Sequence, residues 1–285
     1  MKEVSYYPGC SLGGTAREYG ESVEAVCKTL GISLKELPDW TCCGSSSAHV
    51  INDDLAVRLA ARNLEIADSV GLDMVVPCAM CYSRLKVGQK AIKDGDLVMD
   101  NREKCDSDYQ VFHLVDYIDE FLSKQGMNDK VRKTLEALNP VCYYGCLITR
   151  PPKITEAENA EDPQSMDHIL TLLGADVQNW SFKTDCCGGS LTLTIPDAAH
   201  RLSLRLLDMA LEAGADCISV ACPMCHNNLD SGQRDISQQA GRDYQIPIFY
   251  FTELMGLAFD DPSVEKWLKR HAIDPRPFLH EKDLI

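Results

Sequence analysis

The chain has 285 residues and a mass of 31.6 kDa, room for one large domain or two of ordinary size. With 45% apolar and 25% charged residues and a net charge of −15, it reads as a soluble globular protein with no surface suited to nucleic acid phosphates or an anionic membrane. No apolar run reaches the roughly 18–20 residues of a spanning helix, and Pro8 and Gly9 interrupt any export signal, so a cytoplasmic location is expected.

In chain order, Val4 to Tyr7 is a β-rich run that leads to Cys10. A helix is expected over about Thr15 to Leu30, ending at Gly31, and an extended stretch over Leu34 to Trp40 that delivers Cys42 and Cys43 at a turn. Asn52 or Asp53 can cap the next helix, which carries Leu55, Leu59, Ala60, Leu64 and Ala67 at helical spacing and stops at Gly71. Met74-Val75-Val76 is a short buried strand running into Pro77-Cys78. A polar segment at about 125–138 follows, then Tyr143-Tyr144-Gly145-Cys146, a Pro- and Glu-rich stretch at about 151–165, a helix from about Asp197 to Ala213, and the strand Ile218 to Val220. Strands alternating with helices indicate parallel α/β packing.

The chain is written twice. Cys42, Cys43, Cys78 and Cys81 recur as Cys186, Cys187, Cys222 and Cys225, each shifted by 144 positions. Glycine follows both double cysteines, at Gly44 and Gly188, and Tyr7-Pro8-Gly9-Cys10 parallels Tyr144-Gly145-Cys146. Cys10 leads Cys42 by 32 positions and Cys146 leads Cys186 by 40, so the second repeat carries an insertion, expected as a surface loop at about 151–165. The repeats also end alike, at Phe112-His113-Leu114 and Phe249-Tyr250-Phe251. The expected fold is α/β, with two pseudo-symmetric repeats over 1–130 and 131–285, each a small parallel sheet with flanking helices. Its sites lie past the strand ends, where open α/β sheets place ligands.

Fourteen cysteines without an export signal point to metal or catalysis rather than disulfides. Buried free thiols account for Cys27, Cys105, Cys142 and Cys217. Packing does not require sulfur twice at one spacing, so the repeated ten need another account. Structural zinc is one candidate, but five thiolates per half exceed its four vertices, and adjacent cysteines reach neighbouring vertices of one ion poorly. A multi-iron assembly lets Cys42 and Cys43, or Cys186 and Cys187, reach different irons, although the ferredoxin spacing is absent.

The doubled pattern Cys10…Cys42-Cys43-Gly44…Cys78-Ala79-Met80-Cys81 and Cys146…Cys186-Cys187-Gly188…Cys222-Pro223-Met224-Cys225 resembles the duplicated CCG domain. Over its full length, the chain resembles the B subunit of heterodisulfide reductase. The resemblance implies two noncubane [4Fe–4S] clusters, one on Cys10, Cys42, Cys43, Cys78 and Cys81 and the other on Cys146, Cys186, Cys187, Cys222 and Cys225. It implies that both face a cavity where the mixed disulfide of coenzyme M and coenzyme B is reduced to two thiols. The C subunit of the same complex, with cubane clusters, would supply the electrons, and a flavin-bearing A subunit would feed it in turn. Where the family often carries histidine after the second opening cysteine, this chain has Leu147.

That substrate carries sulfonate, phosphate and carboxylate groups, for which Arg84, Lys86, Arg150 and Lys183 are the candidate anchors. His226 is the candidate proton donor, with His49 and His113 behind it. Tyr143 and Tyr144 are expected to pack beside the second cluster. Cys222-Pro223-Met224-Cys225-His226 also matches a haem-attachment string, a coincidence in a chain without an export signal whose first-repeat counterpart lacks the histidine. No flavin or nucleotide fingerprint is present, so the chain is expected to work inside a complex. The open alternatives are an electron-transfer module whose clusters never meet substrate and a zinc scaffold.

Overall fold

The computed structural model describes residues 2–45, 47–97, 109–127 and 129–285; Cys105 lies outside them. Two all-parallel sheets form the framework. In the first, β1 (Lys2–Tyr6), β2 (Ile32–Glu36), β3 (Met74–Val76) and β4 (Val111–His113) stand in the order β2-β1-β3-β4. In the second, β5 (Pro140–Tyr143), β6 (Cys217–Val220) and β7 (Ile248–Tyr250) stand in sequence order. The central strands β3 and β6 are buried along their whole length, as expected of parallel strands covered on both faces. The α/β fold with two small parallel sheets and flanking helices is as the sequence indicates.

The helices follow from their caps. Helix α1 (Arg17–Leu30) ends on Gly31 at φ 78°, and α2 (Asp53–Val70) ends on Gly71 at φ 69°. The Asn52 side chain accepts from Leu55 N at 3.0 Å and starts α2. Two further helices open at the Cys-x-x-Cys motifs: α3 (Ala79–Asp94) with Cys78 at its N-cap, and, in the second repeat, a helix over Pro223–Ser231 with Cys222 at its N-cap and Pro223 as its first residue. In each motif the first cysteine caps the helix and the second lies one turn in, so both thiols gather at the positive end of the helix dipole.

The repeats are not equal. The second sheet has no ladder strand matching β2. Its edge is an irregular run in which Asp176 N donates to Leu138 O at 3.0 Å and Gln178 N to Pro140 O at 2.8 Å. The insertion is also structured. Pro152–Thr155 forms a single helical turn that packs on α3 of the first repeat. The repeats share one apolar core, to which β1, α1, β5, β6 and β7 all contribute, while a second cluster around Tyr7, Leu64, Met74 and Leu85 belongs to the first repeat alone.

Candidate metal centre

Each double cysteine sits on a turn held by the same devices. The Tyr7 hydroxyl donates to Thr41 O at 2.7 Å, and the Tyr143 hydroxyl donates to Asp185 O at 2.7 Å. In both repeats the accepting residue directly precedes the double cysteine, and a tryptophan packs edge-on against the tyrosine, Trp40 at 5.4 Å and Trp180 at 6.1 Å between ring centroids. Asn63 brackets Thr41 through its N–H and its carbonyl at 2.8 and 3.1 Å. In the second repeat Ser203 Oγ and Asn228 Nδ2 donate to Cys187 O at 3.0 and 2.7 Å.

The glycines of the motifs have a steric reason. Gly44 and Gly188 adopt φ of 80° and 81°. A Cβ on Gly188 would stand 2.8 Å from Ala199 Cα, and one on Gly44 would stand 3.1 Å from Ala48 Cβ. Gly9 and Gly145 make room for sulfur, since a Cβ there would lie 3.0 Å from Cys81 Sγ and 2.9 Å from Cys225 Sγ.

Around these turns the ten repeated cysteines form two groups. Cys43 Sγ lies 3.2 Å from Cys81 Sγ, and Cys187 Sγ lies 3.7 Å from Cys225 Sγ. Gly188 N donates to Cys186 Sγ at 3.3 Å. The Tyr19 hydroxyl lies 3.2 Å from Pro77 O and 3.5 Å from Ala221 O, the carbonyls just before Cys78 and Cys222, so the two groups approach each other at the seam between the repeats. The described cysteines are all free, and Cys10, Cys42 and Cys186 are exposed. Crowding splits their acidities. A hydrogen bond with Cys81 brings Cys43 down to about 7, and one with Cys146, joined by the Gly188 N–H, brings Cys186 to about 6. The partners Cys81 and Cys225 are pushed up. Cys27, Cys142 and Cys217 are buried apart from these groups, and burial raises all three thiols, Cys27 to about 12.

The donor set fits an iron–sulfur group. Each repeat carries five free thiols, more than a tetrahedral zinc accepts, and in each one pair of sulfurs lies in contact without forming a disulfide.

All but one of the other candidate residues have partners within the chain. His226 is 4% exposed; its Nε2 donates to Ile248 O at 3.0 Å and its ring stacks on Tyr250 at 4.2 Å. Burial pulls its pKa well down, so it sits neutral inside the packing. His113, brought to about 4 by burial, donates from Nε2 to Pro77 O at 3.0 Å and accepts at Nδ1 from Val115 N. His49 contacts Ser45 O at 2.9 Å. The Tyr144 hydroxyl donates to Asp167 at 2.7 Å. Lys86 is paired with Glu156 at 2.5 Å, Arg150 with Glu161, and Lys183 with Asp162 and Asp167 at 2.7 and 2.9 Å. Arg84 is half-buried and makes no ion pair or hydrogen bond among the described residues. The sequence reading missed Tyr7, Asn63, Ser203 and Asn228. Of these, only Tyr7 left a signal, its position three residues before Cys10 matching that of Tyr143 before Cys146.

The cysteine-rich domain family CCG matches residues 4–86 and again 141–230. The chain belongs to this family, in duplicate. The CCG protein is 31% identical over 279 residues to the 8-methylmenaquinol:fumarate reductase membrane anchor subunit of Wolinella succinogenes, covering 96% of this chain and 98% of that one. It is 27% identical over 291 residues to the B subunit of the ferredoxin/F(420)H(2)-dependent CoB-CoM heterodisulfide reductase of Methanosarcina acetivorans, covering 98% and 96%. In fold it matches the crystal structure of a hypothetical protein from Helicobacter pylori with a TM-score of 0.70 at 15% identity, covering 96% of this chain and 52% of that one. Among the described residues no helix is long and apolar enough to cross a membrane. These relationships make the CCG protein an iron–sulfur subunit of the oxidoreductase type found in heterodisulfide reductase complexes.

Proposed function

We propose that this CCG protein pairs two one-electron centres for a two-electron reduction, as the redox component of a larger complex. One noncubane [4Fe–4S] cluster would be held by Cys10, Cys42, Cys43, Cys78 and Cys81, and the other by Cys146, Cys186, Cys187, Cys222 and Cys225. The observation that carries this reading is the Tyr19 hydroxyl, 3.2 Å from Pro77 O and 3.5 Å from Ala221 O, which brings the starts of the two Cys-x-x-Cys motifs to one seam. When bound, such groups would supply single electrons to an acceptor. The chain's own part is to hold and orient. Tyr7 and Tyr143 fix the double-cysteine turns, the helices that start at Cys78 and Cys222 hold two cysteines of each repeat at their first turn, and the Gly188 N–H hydrogen-bonds sulfur, a lever on potential.

The acceptor in the heterodisulfide reductase relatives is the CoM–CoB mixed disulfide, cleaved by two electrons and two protons to two thiols. In that reading a C subunit with cubane clusters and a flavin-bearing A subunit feed the chain. A second reading, membership of a quinol:fumarate reductase type of complex, is favoured by the pairing of Lys86, Arg150 and Lys183 with the chain's own carboxylates, which leaves little charge for a polyanionic disulfide. A reducing cytoplasm suits either, since the ten thiols must stay unoxidised to take metal. Metal and sulfide analysis of anaerobically purified protein tests the proposal. About eight irons with matching sulfide are expected for two four-iron clusters, and two zincs without sulfide would end it. Reduction of the mixed disulfide by a reduced dye, against oxidation of a quinol by an oxidised dye, separates the two readings.

A further inference from the structure

Three of the four basic side chains nearest the cysteine motifs share one partner. Glu156, Glu161 and Asp162, which pair with Lys86, Arg150 and Lys183, all lie on the single segment 151–163, and Lys183 Nζ also donates to Pro163 O at 3.2 Å. The segment begins at Arg150, whose N–H donates to Cys146 O at 3.1 Å. It crosses to the first repeat, where Tyr82, next to Cys81, donates to Thr155 O at 3.2 Å. It returns to Lys183, three residues before Cys186. The strap therefore touches the surroundings of both sulfur groups. Its pairs are one-sided. The Lys86 and Lys183 side chains are 7% and 3% exposed, while those of Glu156, Glu161 and Asp162 are 65%, 75% and 59% exposed. A ligand arriving from solvent meets the carboxylates, and the ammonium groups behind them are already neutralised.

We propose that the 151–163 strap selects against anionic ligands at the cysteine site, so that the small molecule taken by the paired centres is uncharged. This rests on the redox reading above and narrows it to a substrate class. The physical basis is local potential: in an acidic chain, three anchors that would attract sulfonate, phosphate or carboxylate are occupied by fixed carboxylates.

The test uses the reduced, metal-free full chain and two alkylating agents of similar size, uncharged iodoacetamide and anionic iodoacetate. Mass spectrometry follows Cys10, Cys42, Cys146 and Cys186. Both reagents attack the same thiolate, so the ratio of their rates cancels the thiol's own ionisation and reports the charge around it. Relative to a small uncharged reference thiol, iodoacetate is expected to be disfavoured by about tenfold. The variant carrying Glu156→Gln, Glu161→Gln and Asp162→Asn should lose most of that penalty and keep its iodoacetamide rate. Should the triple variant fold poorly, Glu161→Gln alone and addition of about 0.5 M salt, which screens such fields, must each reduce the penalty in an otherwise intact chain. A parental ratio equal to that of the reference thiol, or a penalty unmoved by the substitutions and by salt, overturns the proposal. Iron and sulfide content, measured separately, decides the redox reading, so the two can fail independently.

Discussion

His271 shows how a single buried residue ties the C-terminal segment to the second sheet. Its Nε2 meets Glu253 Oε1 at 2.9 Å, with both side chains fully enclosed. Burial works against the imidazolium, but the carboxylates of Glu253, Asp230 and Glu18 outweigh it and hold the pKa at about 9, against 6.5 for the free ring. Arg270 lies next to it in the chain, and the His226 ring beside it is neutral. A folded pKa above the unfolded one means that the stabilisation is complete below about pH 6.5 and fades as pH rises through about 9. Cys43 and Cys186, whose folded pKa values are depressed, run the opposite way over part of that window, gaining stabilisation with rising pH. The comparison of parent with His271→Gln isolates the pair. The melting temperature of the metal-free parent should exceed that of the variant at pH 6 and lose this advantage by about pH 9.5. A gap independent of pH would show that the pair is not charged as described.

At the scale of elements, the caps explain what the sequence revealed. Gly31, Gly71 and Asn52 marked α1 and α2 because a left-handed C-terminal residue and an N-cap side chain are local requirements. The strands β4 and β7 were read from the sequence only as matching ends of the repeats, because each runs directly into a helix with no turn residue between them. The helices at Cys78 and Cys222 were hidden because a ligand pair reads as a loop although its spacing also fits one helical turn. The duplication of the domain was legible because its cysteine pattern is written twice. The strap pairs were not, because Glu156, Glu161 and Asp162 lie in a stretch with no counterpart in the first repeat, and Lys86 meets Glu156 across 70 positions. Helix α1 contributes a contact that neither repeat shows by itself. The Tyr19 hydroxyl, fully buried, lies 3.2 Å from Pro77 O and 3.5 Å from Ala221 O, the carbonyls that directly precede Cys78 and Cys222. Removing this hydroxyl by Tyr19→Phe keeps the ring stacked on Tyr250 at 4.1 Å, leaves Pro77 O with His113 as its remaining donor and takes away the longer contact to Ala221 O, a loss of about 0.5–1.5 kcal/mol. Hydrogen exchange in the metal-free chain should rise together in segments 76–82 and 220–226, separated by 144 positions, while β2 and α2 stay unchanged. Faster exchange in only one of the two segments would show that Tyr19 serves a single repeat.

The whole molecule is duplicated in sequence but not divided in its packing. Helix α1 of the first repeat lies against the helix Phe251–Ala258 of the second, where Ser22 Oγ and Thr252 Oγ1 stand 2.7 Å apart. Glu21 binds Lys266 and Arg270 at 3.0 and 2.9 Å, and the strap anchors the second repeat on α3. One core therefore takes residues from both sheets, and exposing it for one repeat exposes it for the other. Two separate domains joined by a linker would unfold in two steps; this arrangement predicts one. The three tryptophans allow a direct comparison, since Trp40 reports on the first repeat, Trp180 on the second and Trp267 on the C-terminal segment. Variants retaining a single tryptophan each, reduced and free of metal, should give urea transitions whose midpoints differ from one another no more than each differs from its own circular dichroism curve. A Trp40 midpoint set apart from that of Trp180, with circular dichroism falling in two stages, would mean that the seam does not couple the repeats. The two sulfur groups would then be held by bodies free to move apart, which a reaction needing both centres at one acceptor does not tolerate.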